Sequence, residues 1–196
     1  MMPLLVATRN RGKIKEIKAL LNGLVEEVIC AADLPDLPET VEDGATFAEN
    51  ALKKAREASK VTGLAVLADD SGLVVDGLGG RPGVYSARFA GTDATDTANN
   101  VKLLQEVAGL SQAERSAAFV CSMAYVSPDG VERLFEGRVE GTIIDQPRGK
   151  HGFGYDPLFL VNGYQQTMAE LPLEEKNRIS HRGQALRAFK NFLGGA

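Results

Sequence analysis

At 196 residues, 44% hydrophobic and 24% charged, the chain has the composition of a soluble globular protein, compact or in two tightly joined lobes, and of neither a disordered nor a fibrous one. A net charge of −4 supplies no field to hold it on a nucleic-acid backbone, so a polyanionic partner must be small and locally recognised. No apolar run approaches the roughly 20 residues that span a bilayer, and MMPLLVATRN lacks the features of a signal peptide. A cytoplasmic protein with no nucleic-acid or membrane partner is therefore expected.

In chain order, Pro3 to Thr8 reads as a short buried strand, and Ile14, Ile17, Leu20, Leu21 and Leu24 then recur at helical spacing. The polar loop TRNRGK joins the two, with Gly12 for backbone freedom. After the connection DLPDLPETVEDGA, the tetrad Thr46, Phe47, Ala48, Glu49 has a capping-box pattern and starts a helix expected to reach Val61. Gly63 to Ala68 reads as a strand ending at Asp69 and Asp70, and GLGGRPGVYSARFAG as a long loop. A helix is expected over 99–107, capped by Asp96 or Thr97, with Val101, Leu104 and Val107 inward. Two strands, 117–127 and 131–140, flank the turn SPDG; a third covers 142–145 and a fourth 158–161. A last helix runs from His181 to Leu193 with Ser180 as cap and Ala185, Leu186, Phe189 and Phe192 as its apolar stripe. The alternation of strands and helices, closed by a hairpin, predicts a mixed α/β sheet. Cys121, inside AAFVCSMAYV, reads as a buried free thiol, and no disulfide to Cys30 is expected.

Several residues could carry chemistry. Asp69 and Asp70 would sit at a strand's carboxyl end, where open α/β sheets bind ligands. Two neighbouring carboxylates repel, so keeping both charged calls for a cation, a basic partner or water; a solvated turn is the plain alternative. Glu39, Glu42 and Asp43 add oxygen donors of the kind magnesium takes, or are solvated loop acids. TRNRGK leads from a strand to a helix amino terminus and so could cradle phosphate, although it is no Walker A motif: Ile14 follows Gly12-Lys13 and Ala7 stands where the first glycine belongs. Of two histidines, His181 lies beside Arg182 at a helix start and His151 in a loop. Phe153 and Tyr155 could stack on a nucleobase or anchor their loop. No serine, histidine and acid spacing supports nucleophilic catalysis.

Taken together, ATRNRGK, TFAENALKKA, ADDSGLVVDGLGGRPGVYSARFAG, GFGYDP and EEKNRISHRGQAL resemble, in order and spacing, the inosine triphosphate pyrophosphatase family. The similarity covers nearly the whole chain. It implies hydrolysis of ITP, dITP or XTP between the α and β phosphates with magnesium, giving the nucleoside monophosphate and pyrophosphate. It implies one domain over 1–196, an elongated two-lobed α/β fold around a central mixed sheet with a cleft between the lobes, and a homodimer. Carried over by motif, Thr8, Arg9, Asn10, Arg11, Gly12 and Lys13 would hold the triphosphate with Lys54, Asp70 would be base and metal ligand, and Glu42, or Glu39, the second metal carboxylate. Ser71 would touch the substrate; Lys176, His181 and Arg182 would approach the base, and Phe153, Gly154, Tyr155 and Asp156 would complete its pocket. The chain departs from the pattern at Arg9, which replaces a common glycine, and at the additional Arg11. A non-catalytic purine nucleotide sensor and a metal-dependent nuclease are the rival readings.

Overall fold

Six strands and five α-helices make up the regular structure of residues 3–195, the range that the computed structural model describes. Met1 and Met2, which head the stretch read for a signal peptide, lie outside the described residues, as does Ala196. The order is β1 (Leu4–Val6), α1 (Arg11–Leu21), β2 (Val28–Cys30), α2 (Phe47–Thr62), β3 (Ala65–Val75), α3 (Asp96–Val107), β4 (Ser116–Val126), β5 (Glu132–Ile143), β6 (Phe159–Val161), α4 (Leu173–Ile179) and α5 (His181–Leu193). The strands form one mixed sheet in the order β2-β1-β3-β4-β5-β6, with β1 parallel to both β2 and β3, and β5 antiparallel to β6. No described helix is long and apolar enough to cross a membrane.

By contacts the chain divides into two units, the first comprising 1–70, 121–137 and 182–196, the second 71–120 and 138–181. In the first unit, strand alternation sends successive side chains to opposite faces of the sheet. Leu4, Val6, Ala65 and Leu67 pack with Ile17 and Leu21 of α1 and with Ala185, Leu186 and Phe189 of α5. Leu5, Val66 and Ala68 pack with Ala51, Ala55 and Ala58 of α2. Both faces are thus covered, which suits the near-continuous apolar runs of β1 and early β3. In the second unit Leu73, Val75, Leu103, Val107, Phe119, Phe159 and Leu171 belong to one core.

Several expectations are corrected. β3 does not stop at the two acids but runs through Asp69, Asp70, Ser71 and Gly72 to Val75, because buried partners hold residues of low strand propensity in the ladder. Gly12 is not loop; it lies in the first turn of α1, where Asn10 is the cap and accepts from the Lys13 amide. α3 begins at Asp96 with Thr95 as its cap, and Val101 is 50% exposed; Asn99, Leu103 and Val107 are the buried positions. The strands expected at 131–140 and 142–145 are one, with Gly141 between them: a Cβ there would meet the Leu160 carbonyl oxygen at 2.4 Å, so the glycine admits β6 and does not break β5. The long loop contains 3-10 turns at Asp76–Leu78 and Gly83–Arg88. The SPDG turn closes as read, with the Ser127 amide donating to the Val131 carbonyl at 3.0 Å.

Cys30 and Cys121 are both free and buried. Burial pushes the Cys121 thiol up to about 12, with Asp69 adding to the effect. Native protein treated with iodoacetamide at pH 8 is therefore expected to leave Cys121 unmodified by mass spectrometry, with alkylation appearing only in urea; rapid native labelling would contradict this packing.

Candidate active site

The continuation of β3 explains its two acids. Residues 65, 67 and 69 share one face of the strand and 66, 68 and 70 the other, so the neighbouring carboxylates leave the backbone in opposite directions. Asp69, 2% exposed, follows Ala65 and Leu67 toward α1 and α5. There it meets the Lys13 Nζ at 2.9 Å and the Arg182 guanidinium at 3.2 Å, and Arg182 also reaches Glu16 at 2.5 Å. Burial alone would raise the Asp69 pKa, but Lys13, Arg182 and Lys54 together hold its carboxyl far below the usual range.

Asp70, 5% exposed, follows Val66 and Ala68 toward α2. Its Oδ2 accepts from the Asn50 Nδ2 at 2.8 Å. Here burial prevails, assisted by Glu42 and opposed by Lys54 and Asn50, and the carboxyl titrates above its ordinary value. One strand thus carries a locked anion and, one residue on, a carboxylate with raised basicity.

Lys54 donates to Glu42 Oε1 at 2.7 Å and to the Asp69 carbonyl at 2.5 Å. Burial works against its charge, but Asp69, Glu42 and Asp70 outweigh it, so its pKa is raised and it stays protonated. Glu42 and Asp70 are electrostatically coupled through this corner, whereas Glu39 is exposed. Among the described residues no group of three or more His, Cys, Asp or Glu side chains is arranged to hold a metal. Two carboxylates of like charge, one of them buried, fit a cation that takes oxygen ligands and completes its shell with water and phosphate.

The β1–α1 connection faces the anion problem from the other side. The first turn of α1 has no acid and carries Arg11 and Lys13, a placement unfavourable to the helix dipole and favourable to a bound anion. Thr8 Oγ1 accepts from the Asn10 amide at 3.2 Å, shaping the turn. Arg9 donates to the carbonyls of Ala31 at 3.0 Å and Leu37 at 2.7 Å, so this departure from the family pattern acts as a tether for the 31–37 segment.

In the second unit, Asp156 Oδ2 accepts from the Phe153 amide at 2.9 Å and from the Lys176 Nζ at 2.5 Å. Lys176, buried on α4, lies 4.9 Å from the centroid of the Phe153 ring. Gly152 has φ +79°, and a Cβ on it would fall 2.0 Å from Asp156 Oδ2, so the turn needs a glycine. The Gly154 peptide is gripped at both ends, its amide by Asp96 at 2.7 Å and its carbonyl by Asn100 at 2.8 Å. Tyr155 is buried and donates its hydroxyl to the Ser86 carbonyl at 2.7 Å, which makes it an anchor of this loop. His181 stacks on Phe119 at 5.0 Å, and Ser71 is half-buried on β3. His151 is exposed.

Glu16, Asn50 and Asn100 were not foreseen, and Asp96, read as a candidate helix cap, instead holds the Gly154 amide. Glu16 and Asn50 are buried polar residues on helices, and a carboxylate beside the inward Ile17 and an amide beside the inward Ala51 are the signals that could have marked them.

A mixed α/β sheet thus carries two buried carboxylates on β3, with Lys13 of α1 and Lys54 of α2 beside them and an acid-free helix start at α1. The chain belongs to the Ham1 family, which it matches over residues 4–192. It is 57% identical over 194 residues to the dITP/XTP pyrophosphatase of Geobacter sulfurreducens, covering 99% of this chain and 98% of that one. It is 50% identical to the enzyme of the same name from Bacillus licheniformis over the full length of both. Among solved structures, a HAM1 protein from Coxiella burnetii superposes with a TM-score of 0.90 at 43% identity, covering 100% of both chains. The nucleoside-triphosphatase / dITP/XTP pyrophosphatase of Mycobacterium abscessus gives 0.78 at 48% identity, over 96% of this chain and 98% of that one.

Proposed function

We propose that this chain is a nucleoside-triphosphate pyrophosphatase that hydrolyses ITP, dITP and XTP to the monophosphate and pyrophosphate. The observation that carries the reading is the electrostatically coupled pair Glu42 and Asp70 with Lys54 bonded to Glu42 and to the Asp69 carbonyl beside them, in a chain 57% identical to a dITP/XTP pyrophosphatase. Magnesium is the cofactor this pair fits, and when bound it would offset phosphate charge. Asp70, made more basic by burial, orients the attacking water and accepts its proton. Lys13 and Lys54, with Thr8, Asn10, Gly12 and Arg11 around the helix start, offset charge on the triphosphate and on the leaving pyrophosphate, and Ser71 contacts the substrate. Arg9 acts in this scheme by fixing the loop.

The base is the task of Phe153, Gly154, Tyr155 and Asp156 together with Lys176, His181 and Arg182. An ammonium group is a donor with no acceptor, so Lys176 suits the 6-oxo group of inosine or xanthine and mismatches the 6-amino group of adenine. Lys176→Met is expected to narrow the ITP-to-ATP ratio of kcat/KM by about tenfold or more, measured in competition; an unchanged ratio would remove Lys176 from base recognition. The two units act as one catalytic domain, the protein works in the cytoplasm, and a homodimer is expected, with light scattering in solution returning twice the chain mass.

Incubation with ITP and magnesium, followed by phosphorus NMR with ATP and GTP in parallel, tests the reaction. Inosine monophosphate and pyrophosphate, with little turnover of the other two, is the expected result. Inosine diphosphate and phosphate would contradict it, and binding without turnover would point to a sensor.

A further inference from the structure

We infer that Asn50 is a positioning residue that latches the segment carrying Glu42 to Asp70 and so fixes the two carboxylates relative to each other. The inference rests on the pyrophosphatase reading for what the pair does. Asn50 is 0% exposed and uses both ends of its amide: Nδ2 donates to Asp70 Oδ2 at 2.8 Å, and Oδ1 accepts from the Gly44 amide at 2.8 Å. A Cβ on Gly44 would lie 2.7 Å from that same Oδ1 and 2.9 Å from the Glu49 Cβ, so the backbone approaches α2 more closely than any side chain there permits. The neighbouring amides of Ala45 and Thr46 both donate to Glu49 Oε2, at 2.7 and 3.1 Å, which docks the rest of the segment on the same helix start.

Asn50 and Lys54 are one helical turn apart and form two rungs between this segment and β3. Lys54 links the Glu42 side chain to the Asp69 carbonyl, and Asn50 links the Gly44 backbone to the Asp70 side chain. Glu42 and Asp70 repel each other, and Lys54 is the rung that a phosphate would draw away. The uncharged rung has no such competitor and holds the spacing through substrate binding. Only an amide of this length offers the required donor and acceptor; a carboxylate would put like charge against Asp70, and an apolar side chain would leave a buried acceptor and an amide unpaired.

Two substitutions cut the latch from opposite ends. Asn50→Asp keeps the shape and the acceptor for Gly44 but loses the donor to Asp70, and Gly44→Ala forces the segment off α2. Each is expected to lower kcat for ITP by about tenfold or more, with KM changed less than about threefold, since a misplacement near 1 Å is felt in the reacting geometry. Each should also weaken Mn²⁺ binding to the substrate-free protein by about tenfold, read by electron paramagnetic resonance, a change that general loosening of the fold would not produce. Variants with kcat and Mn²⁺ affinity within about twofold of the wild type would overturn the latch. Should one variant melt below the assay temperature, the other decides. A wild-type protein that releases no monophosphate and pyrophosphate would overturn the functional reading, and the Mn²⁺ measurement would still judge the latch.

Discussion

Asp70→Asn is expected to abolish ITP turnover, by about 10³-fold or more, and to leave the protein as stable as the wild type or more so. The two halves of this expectation share one cause. Burial raises the pKa of Asp70, so keeping it charged at neutral pH costs the fold stability, and removing that charge also ends its repulsion with Glu42. An asparagine oxygen can still accept from Asn50 Nδ2, so the contact that places the side chain survives. What is lost is the buried carboxylate of raised basicity on this face of β3, and with it the group proposed to take the proton from water. Product release measured by phosphorus NMR, with thermal melting alongside, checks both halves. A near-normal rate would remove Asp70 from the chemistry, and a large fall in melting temperature would mean that its role is structural.

Beyond its proposed part in base recognition, Arg182→Leu is expected to lower stability by about 3–5 kcal/mol at pH 7. Arg182 is 1% exposed and sits in a balanced network of two cations and two acids: it bonds Glu16 and Asp69, and Lys13 bonds Asp69 from another side. Without the guanidinium, Glu16 and Asp69, both buried, lose the cation that they share. The pH dependence follows in sign. The folded pKa of Asp69 is depressed, so its contribution is complete above the unfolded value of about 4 and is lost as pH falls below it. The wild type should therefore lose stability steeply between about pH 4 and pH 2, and the variant less steeply, because it begins with less of that contribution. Urea unfolding at pH 7 and pH 3 measures both. Equal midpoints at pH 7 would contradict the network's importance.

The elements with a local cause were legible. α2 announced itself through Thr46 and Glu49, whose reciprocal cap is formed as read, and the stripe of Ala185, Leu186 and Phe189 on α5 is buried. What escaped the sequence depended on distant partners. Asp69 and Asp70 looked like a strand's end because aspartate is a poor strand former, and partners brought from other elements, Lys13, Arg182, Lys54 and Asn50 among them, make a strand interior tolerable there. β2 has three residues, too few for a period, and α4 starts at a proline with no side-chain cap to mark it. Lys176 was consequently reached through the family resemblance and not through a predicted helix. Val101 was placed inward because Asn99 was not expected there; its amide is buried to hold Ala87 and Ala90 of the preceding loop. Within the candidate site, the strand alternation that separates the two acids was available from the sequence once the strand was allowed to continue.

In the proposed reaction, water oriented by Asp70 attacks the α phosphorus. Hydrolysis of ITP in ¹⁸O-enriched water, with mass spectrometry of both products, shows which phosphorus takes the water oxygen. The label is expected in inosine monophosphate, with none in pyrophosphate; label in pyrophosphate would place the attack at the β phosphorus and contradict the roles of Asp70, Lys13 and Lys54.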